Sequence, residues 1–330
     1  MAMNFWEAQR RARSKTTLYV TLFVLLTIAV AVLSEAAMRY IAEKSYEAPI
    51  PYIGLTYAII TFSVAAYQYM MFCSQGGSYV AESVGAFLID TKTTDPRGRQ
   101  LLNIVQEISI ASGLPMPPVY VLKADQINAF AAGTTKENAA IAITTGTYNM
   151  LNRDELQGVI AHEFGHIYNQ DMKISLRIAA MVMGFFFVLY LALRVMQMAS
   201  YNDRYRDREG ERGSNPIMLA ALILMAAGAL TWVGGSLLKC AISREREYLV
   251  DVCAVQFTRN AEGIANALRK IARESHDDMP KRGMAFSHMY FDNHMGINAL
   301  FATHPPIEKR IAAIEGREYM PEEWVKNLKS

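Results

Sequence analysis

Charge is what this chain lacks in places. It has 33 basic and 31 acidic residues among 330, yet four stretches, 16–34, 48–81, 178–193 and 213–238, carry none. A disordered or fibrous chain is excluded, because 52% of the residues are hydrophobic and most of them must be removed from water. Neither sign of charge is in excess. The formal net charge is +2 and no basic face is concentrated, which excludes a nucleic-acid-binding protein. Cysteine is scarce: Cys73, Cys240 and Cys253 are odd in number and far apart, so a disulfide framework is excluded and each reads as a small hydrophobe. Internal repeats and low-complexity tracts are absent. What remains is a soluble chain of ordinary charge density with apolar runs spliced into it.

A bilayer core needs roughly 20 apolar residues of helix. Run 16–34 follows Arg10, Arg11, Arg13 and Lys15 and exceeds the roughly 7–15 apolar residues of a signal peptide, so it reads as an uncleaved anchor. The second run, 49–73, ends near Gly76-Gly77. The basic tail outweighs the connection 35–48, which holds Arg39 and Lys44 against three acids, and this bias places the N-terminus in the cytoplasm. The third run, 178–193, lies between Arg177 and Arg194, and the fourth spans 216–238. The four arginines between them offend the positive-inside rule. The pair therefore reads as a full transmembrane hairpin, with a hairpin only partly in the membrane as the alternative.

The soluble residues fall into two pieces, 74–173 and 244–330. Residues 95–112 have helical periodicity, with Leu101, Leu102, Val105, Ile108 and Ser109 on one face, and Gly113-Leu-Pro-Met-Pro-Pro breaks it. Residues 119–122 and 140–144 read as strands. Asn152, with Glu155 three residues on, is a capping-box signal for a helix over 153–169.

That helix carries His162-Glu163-Phe164-Gly165-His166. Four residues advance a helix by about 400°, so both imidazoles lie on one face and can share one zinc, while the glutamate between them can act as general base. Two imidazoles leave a catalytic zinc short of a third protein ligand. The remaining histidines are 276, 288, 294 and 304, but the helical segment 243–257 offers Glu247 and Asp251 four apart on one face. One carboxylate to ligate and one to accept from a ligating imidazole suit this spacing, although such a pair is more commonly a solvated face.

HEFGH followed by Asn169 and Asp171, a hydrophobic hairpin and then REREYLVD resembles the HtpX-like membrane zinc metalloproteases, bacterial relatives of the C-a-a-X prenyl proteases. The stretches 99–122, INAFAAG (127–133), 141–167 and THPPIEKRI (303–311) agree in order. The resemblance implies His162, His166 and Glu247 as ligands of one zinc ion per chain, Glu163 as general base and Asp251 as a partner of a ligating imidazole. It implies His304 and Arg310 near the site, helping to hold an oxyanion. It implies that Asn128 and Ala129, with Ile141, Ala142 and Ile143 of the strand at 140–144, bind extended substrate backbone by edge pairing. One departure is the bulk of Val250 and Val252, where relatives carry small residues.

The expected fold class is mainly α, an α+β arrangement: a four-helix membrane domain plus a cytoplasmic zincin-like metalloprotease domain with a small β-sheet. The expected division is a basic tail (1–15), a transmembrane hairpin (16–73), the first protease part (74–173), a second membrane hairpin (174–243) and the second protease part (244–330). His162 and Glu247 must meet, so the chain crosses an even number of times between them. With two earlier crossings, the site faces the cytoplasm of a bacterial inner membrane. The expected activity is zinc-dependent endopeptidase cleavage of misfolded or unassembled membrane proteins, with the bilayer and protein or peptide substrates as partners and no nucleic acid. A prenyl-protein processing protease and a non-catalytic zinc-stabilised adaptor are the competing readings. Oligomeric state is left open.

Overall fold

The computed structural model describes residues 5–42, 46–206, 216–274 and 306–316. In chain order the elements are α1 (Phe5–Ala42), α2 (Tyr52–Ser83), β1 (Phe87–Leu88), α3 (Pro96–Ser112), β2 (Val119–Leu122), β3 (Ala129–Ala132), β4 (Ala140–Thr144), α4 (Thr145–Met150), α5 (Arg153–Asn169), α6 (Met172–Arg206), α7 (Pro216–Thr258), α8 (Ala261–Glu274) and α9 (Ile307–Ile314). The chain divides into two compact units. One comprises Met1–Gln9, Met70–Arg177 and Lys239–Ser330, the other Arg10–Tyr69 and Ile178–Leu238.

Among the described residues the second unit is helical apart from the connection 46–51. Among the described residues, Val20–Ala42, Tyr52–Ser83, Met172–Met198 and Ile217–Gly235 are long and apolar enough to cross a membrane. Phe23, Val30, Tyr57, Phe185, Val188 and Ala227 form the unit's core. Helices approach closely where side chains are missing: a Cβ on Gly54 would lie 2.6 Å from Ala31 O, and one on Gly184 2.6 Å from Thr61 O. The Tyr57 hydroxyl donates to Thr231 Oγ1 at 3.0 Å, a polar contact between helices.

Two expectations about the first hairpin change. Residues 35–42 are not a connection but the end of α1, and Glu35 is buried there. Its Oε2 accepts from the backbone N–H groups of Ile53 (3.0 Å) and Gly54 (3.3 Å), so it satisfies the positive end of α2. The second helix breaks at Gly76, as expected, but a further helical stretch, not expected there, runs on to Ser83.

The first unit is built on a four-stranded sheet of order β1-β2-β4-β3. β1 is antiparallel to β2, β2 parallel to β4, and β3 antiparallel to β4. Val119, Val121, Ile141 and Ile143 face a core shared with Leu101, Ile104, Val105 and Ile108 of α3, Val159, Ile160 and Phe164 of α5, and Ile264 and Leu268 of α8. The expected face of α3 is the buried one, widened by Ile104, while Leu102 is only partly covered. Tyr120, on the opposite face of β2, donates its hydroxyl to Glu82 of α2 at 3.2 Å.

Candidate metal centre

The expected capping box starts α5. Asn152 Oδ1 accepts from Glu155 N–H at 2.9 Å, Glu155 Oε2 accepts from Asn152 N–H at 2.9 Å, and Lys270 donates to the same Oε2 at 2.6 Å. The register so set turns His162, Glu163 and His166 inward. His162 and Glu163 are buried, and the two imidazole centroids lie 4.9 Å apart. From α7, Glu247 and Asp251 reach the same place, both buried. A bulky Val250 is accommodated because residue 165 is glycine: a Cβ there would lie 2.7 Å from Val250 Cγ1. Val252 is half exposed, so neither valine crowds the ligands.

His162 Nδ1 donates to Asp251 Oδ1 at 2.9 Å, and His166 Nδ1 to Asp171 at 3.1 Å. Each carboxylate fixes one tautomer and leaves Nε2 with its lone pair facing Glu247. His162 Nε2 is 3.6 Å from Glu247 Oε2 and His166 Nε2 is 3.8 Å from Glu247 Oε1. These gaps are too long for hydrogen bonds but close to the ~3.4 Å between two atoms about 2.1 Å from one tetrahedral centre. The candidate ligand atoms of all three residues lie within 4.8 Å of one another. Two imidazoles and one carboxylate, with a position left over, fit a catalytic zinc by donor type as well as by distance.

The electrostatics agree. Burial drives the His162 pKa down to about 4, with Arg310 adding to the fall, so this imidazole is neutral. Burial alone would lower His166 as well, but the carboxylates of Asp171, Glu247 and Glu163 carry it up to about 10. A field that holds a proton on one imidazole is a field for a divalent cation, which displaces that proton. Burial raises Glu163 to about 8 against the pull of His166; Glu247 adds to the rise and a hydrogen bond from Ala131 N–H opposes it. Glu163 Oε2 is buried with no hydrogen-bond partner among the described residues. A carboxyl balanced near neutrality suits a group that takes and returns a proton.

Arg310 lies beside the site, as expected. It is fully buried, donates from Nε and Nη2 to the two oxygens of Asp251 at 2.9 and 2.7 Å, and has Nη1 3.4 Å from Glu247. A guanidinium so engaged positions carboxylates rather than meeting an oxyanion. Burial raises Asp251, but Arg310 and His162 outweigh it and hold its carboxyl below the usual range. His304 lies outside the described residues, as do His276, His288 and His294.

The expected edge at 140–144 is not an edge. Ile141 N–H donates to Pro118 O at 3.1 Å on one side and Thr144 N–H to Asn128 O at 2.9 Å on the other, so Ile141, Ala142 and Ile143 sit in a central strand. Among the described residues, the edge beside β4 is β3. Since residues 128 and 144 share a ladder bond, so do the pairs 130/142 and 132/140, and Ala129 and Ala131 direct their backbone groups outward. Asn128 is buried, and its Oδ1 accepts from Ala129 N–H at 2.9 Å. Its backbone N–H donates to Thr144 Oγ1 and Thr147 Oγ1, so it anchors the start of β3. Asp171 is the residue whose role the sequence did not reveal. Gln170, with φ of 55°, turns the chain so that Asp171 comes back under His166.

The chain matches Peptidase family M48 over residues 97–318. The Protease HtpX homolog of Caldanaerobacter subterraneus subsp. tengcongensis is 34% identical over 94% of this chain and 97% of its own length. That of Streptococcus uberis is 31% identical over 91% of this chain and 95% of its own, and that of Desulfatibacillum aliphaticivorans 38% identical over 66% and 68%. The crystal structure of S. mikatae Ste24p is similar with a TM-score of 0.47 at 16% identity, over 93% of this chain and 67% of that one. Because one family spans about two thirds of the chain and relatives match nearly all of it above 30% identity, the chain belongs to peptidase family M48 and is an HtpX-like membrane metalloprotease acting on protein substrates.

Proposed function

We propose that this metalloprotease is a zinc endopeptidase holding one ion per chain between His162, His166 and Glu247. It cleaves misfolded or unassembled membrane proteins at the cytoplasmic face of a bacterial inner membrane, which the chain crosses several times with its N-terminus inside. The observation that carries the chemistry is the grouping of three ligand atoms within 4.8 Å beside the buried carboxylate of Glu163.

Zinc bound there would supply a Lewis acid and lower the pKa of a water molecule far towards neutrality. Glu163 removes the proton at Oε2 and passes it to the departing amine. Asp251 and Asp171 keep the imidazole Nε2 atoms aimed inward, and Arg310 keeps Asp251 charged and lies 3.4 Å from Glu247. The substrate backbone donates to the outward carbonyls of Ala129 and Ala131, whose N–H groups are held by Asn128 and Glu163, and this sets the scissile carbonyl beside Glu163. What supports membrane substrates is the chain's continuity: α5 is followed, two residues after Gln170, by the candidate span Met172–Met198.

The test is cleavage of a casein-like protein by zinc-loaded full-length protein in detergent. Glu163→Gln should keep stoichiometric zinc and lose cleavage by about 100-fold or more. Chelation should abolish wild-type cleavage. Full activity of zinc-loaded Glu163→Gln would remove the assignment, and a closed zinc site with no cleavage by wild type would favour the adaptor reading.

A further inference from the structure

The kink in α2 lies against the strand that the proposed mechanism uses. Gly76 has φ 65° and ψ −153°, a region open essentially to glycine alone. A Cβ there would lie 2.6 Å from Asn138 O. One residue on, a Cβ on Gly77 would lie 2.1 Å from Ala132 O and 2.5 Å from Ala140 N. Ala132 and Ala140 are the last pair of the β3–β4 ladder, so the helix backbone abuts the end rung directly. Gly77 N–H also donates to Asn138 O at 2.8 Å. Asn138 in turn locks the turn between the strands: its Oδ1 accepts from the N–H groups of Thr134 (2.8 Å) and Thr135 (2.9 Å), and its Nδ2 donates to Thr134 Oγ1 at 2.8 Å.

We propose that Gly76 and Gly77 are positioning residues for the protease, through which the membrane-spanning helix α2 sets the place of the substrate-binding edge of β3 relative to Glu163. This rests on the reading that β3 carries the substrate backbone. Among the described residues β3 pairs on one side only, so little opposes a push at its end rung. Ala131, next to Ala132, directs its N–H to Glu163, so a displacement at the rung arrives at the site one residue later. A shift of about 1 Å is enough to matter for a reacting geometry. The alternative for two glycines in a helix, a bend with no bearing on the reaction, leaves the choice of substrate untouched.

The experiment compares Gly77→Ala with wild type as zinc-loaded, full-length protein in detergent, on a ten-residue peptide that covers the edge and on a short peptide that reaches only the metal centre. We expect kcat/KM for the long peptide to fall about ten-fold more than for the short one, the equivalent of one to two backbone hydrogen bonds, with most of the difference in KM. Asn138→Ala, which unlocks the turn without adding bulk to α2, should show the same preference in weaker form, and it decides the matter if Gly77→Ala fails to bind zinc. Equal losses on both peptides, or none, in a zinc-loaded variant would overturn the coupling. Failure of the underlying reading looks different: wild type would then treat both peptides alike, or Glu163→Gln would still cleave.

Discussion

The two units place the same kind of side chain in opposite ways. In the sheet-bearing unit every residue of β2, β3 and β4 is buried, and their Val and Ile side chains point into one core with α3, α5 and α8. In the helical unit only 17% to 44% of each candidate span is buried, and Leu25, Val32, Leu33 and Ile59 are each more than half exposed. A water-facing domain exposing so much contiguous apolar surface would aggregate. The difference teaches that hydrophobic burial orders the first unit, whereas close backbone contacts at glycines and polar contacts such as Tyr57 to Thr231 order the second.

The comparison breaks most sharply at Arg310. It is the largest fully buried side chain, and it holds two carboxylates that are themselves buried. Arg310→Ala leaves Asp251 and Glu247 without their cation and should cost the sheet-bearing unit about 3–5 kcal/mol. The helical unit contains none of these groups. Thermal unfolding in detergent, followed together with zinc content, should show early loss of metal while most helix signal persists. A single unchanged transition would mean that the two units are not separately stabilised.

A matched pair of substitutions asks which solvent each surface meets. Leu25 is 57% exposed in the helical unit and Ile110 75% exposed in the other. Were both in water, Asp would cost little at either, within about 0.5 kcal/mol. With the helical unit in a bilayer, Leu25→Asp should cost about 2.5–3.5 kcal/mol and impair membrane insertion, while Ile110→Asp should be silent. Normal insertion of Leu25→Asp would return the helical unit to the class of water-soluble bundles.

Asp171 sharpens the boundary itself, because it binds His166 and also accepts, through its carbonyl, the Ile174 and Ser175 N–H groups that open α6. Asp171→Asn should weaken zinc affinity about 10- to 100-fold in a chelator competition, with secondary structure unchanged. Undiminished affinity would show that His166 is oriented by packing alone.

What was legible in the sequence was local. The α5 capping box and the two strands at 119–122 and 140–144 appear with the expected ends, because caps and alternating isoleucines act within a few residues. β3 escaped notice because its four residues are Ala-Phe-Ala-Ala, which carry neither alternation nor strand preference; it exists because β4 pairs with it. Missing β3 is what made β4 look like an edge. Gly76-Gly77 reads as a helix end by composition, but the helix resumes because the second glycine admits the backbone of Ala132 and Ala140. The HExxH spacing announced the metal centre, whereas the contact of Arg310 with Asp251, 59 residues apart, depends on tertiary structure.

The smallest effect expected concerns a titrating contact on the water-facing surface of the sheet-bearing unit. Asp95 caps α3, accepting from Gly98 N–H at 2.8 Å, and it also accepts from the Tyr148 hydroxyl. That hydroxyl and the Gly98 N–H hold the Asp95 carboxyl below its ordinary value of 3.8. Burial and the bond to Asp95 push Tyr148 up from 10.0 to about 12. The signs follow from which state holds more protons. Asp95 contributes stability above about pH 3.8 that is lost as pH falls through its lower folded value. Tyr148 contributes stability below pH 10 that is lost as pH rises towards 12, since the unfolded chain releases its proton first. Tyr148→Phe should therefore flatten both limbs of the unit's stability profile by lowering the plateau between them slightly. An alkaline limb that survives the substitution would place the titrating group elsewhere in the unit.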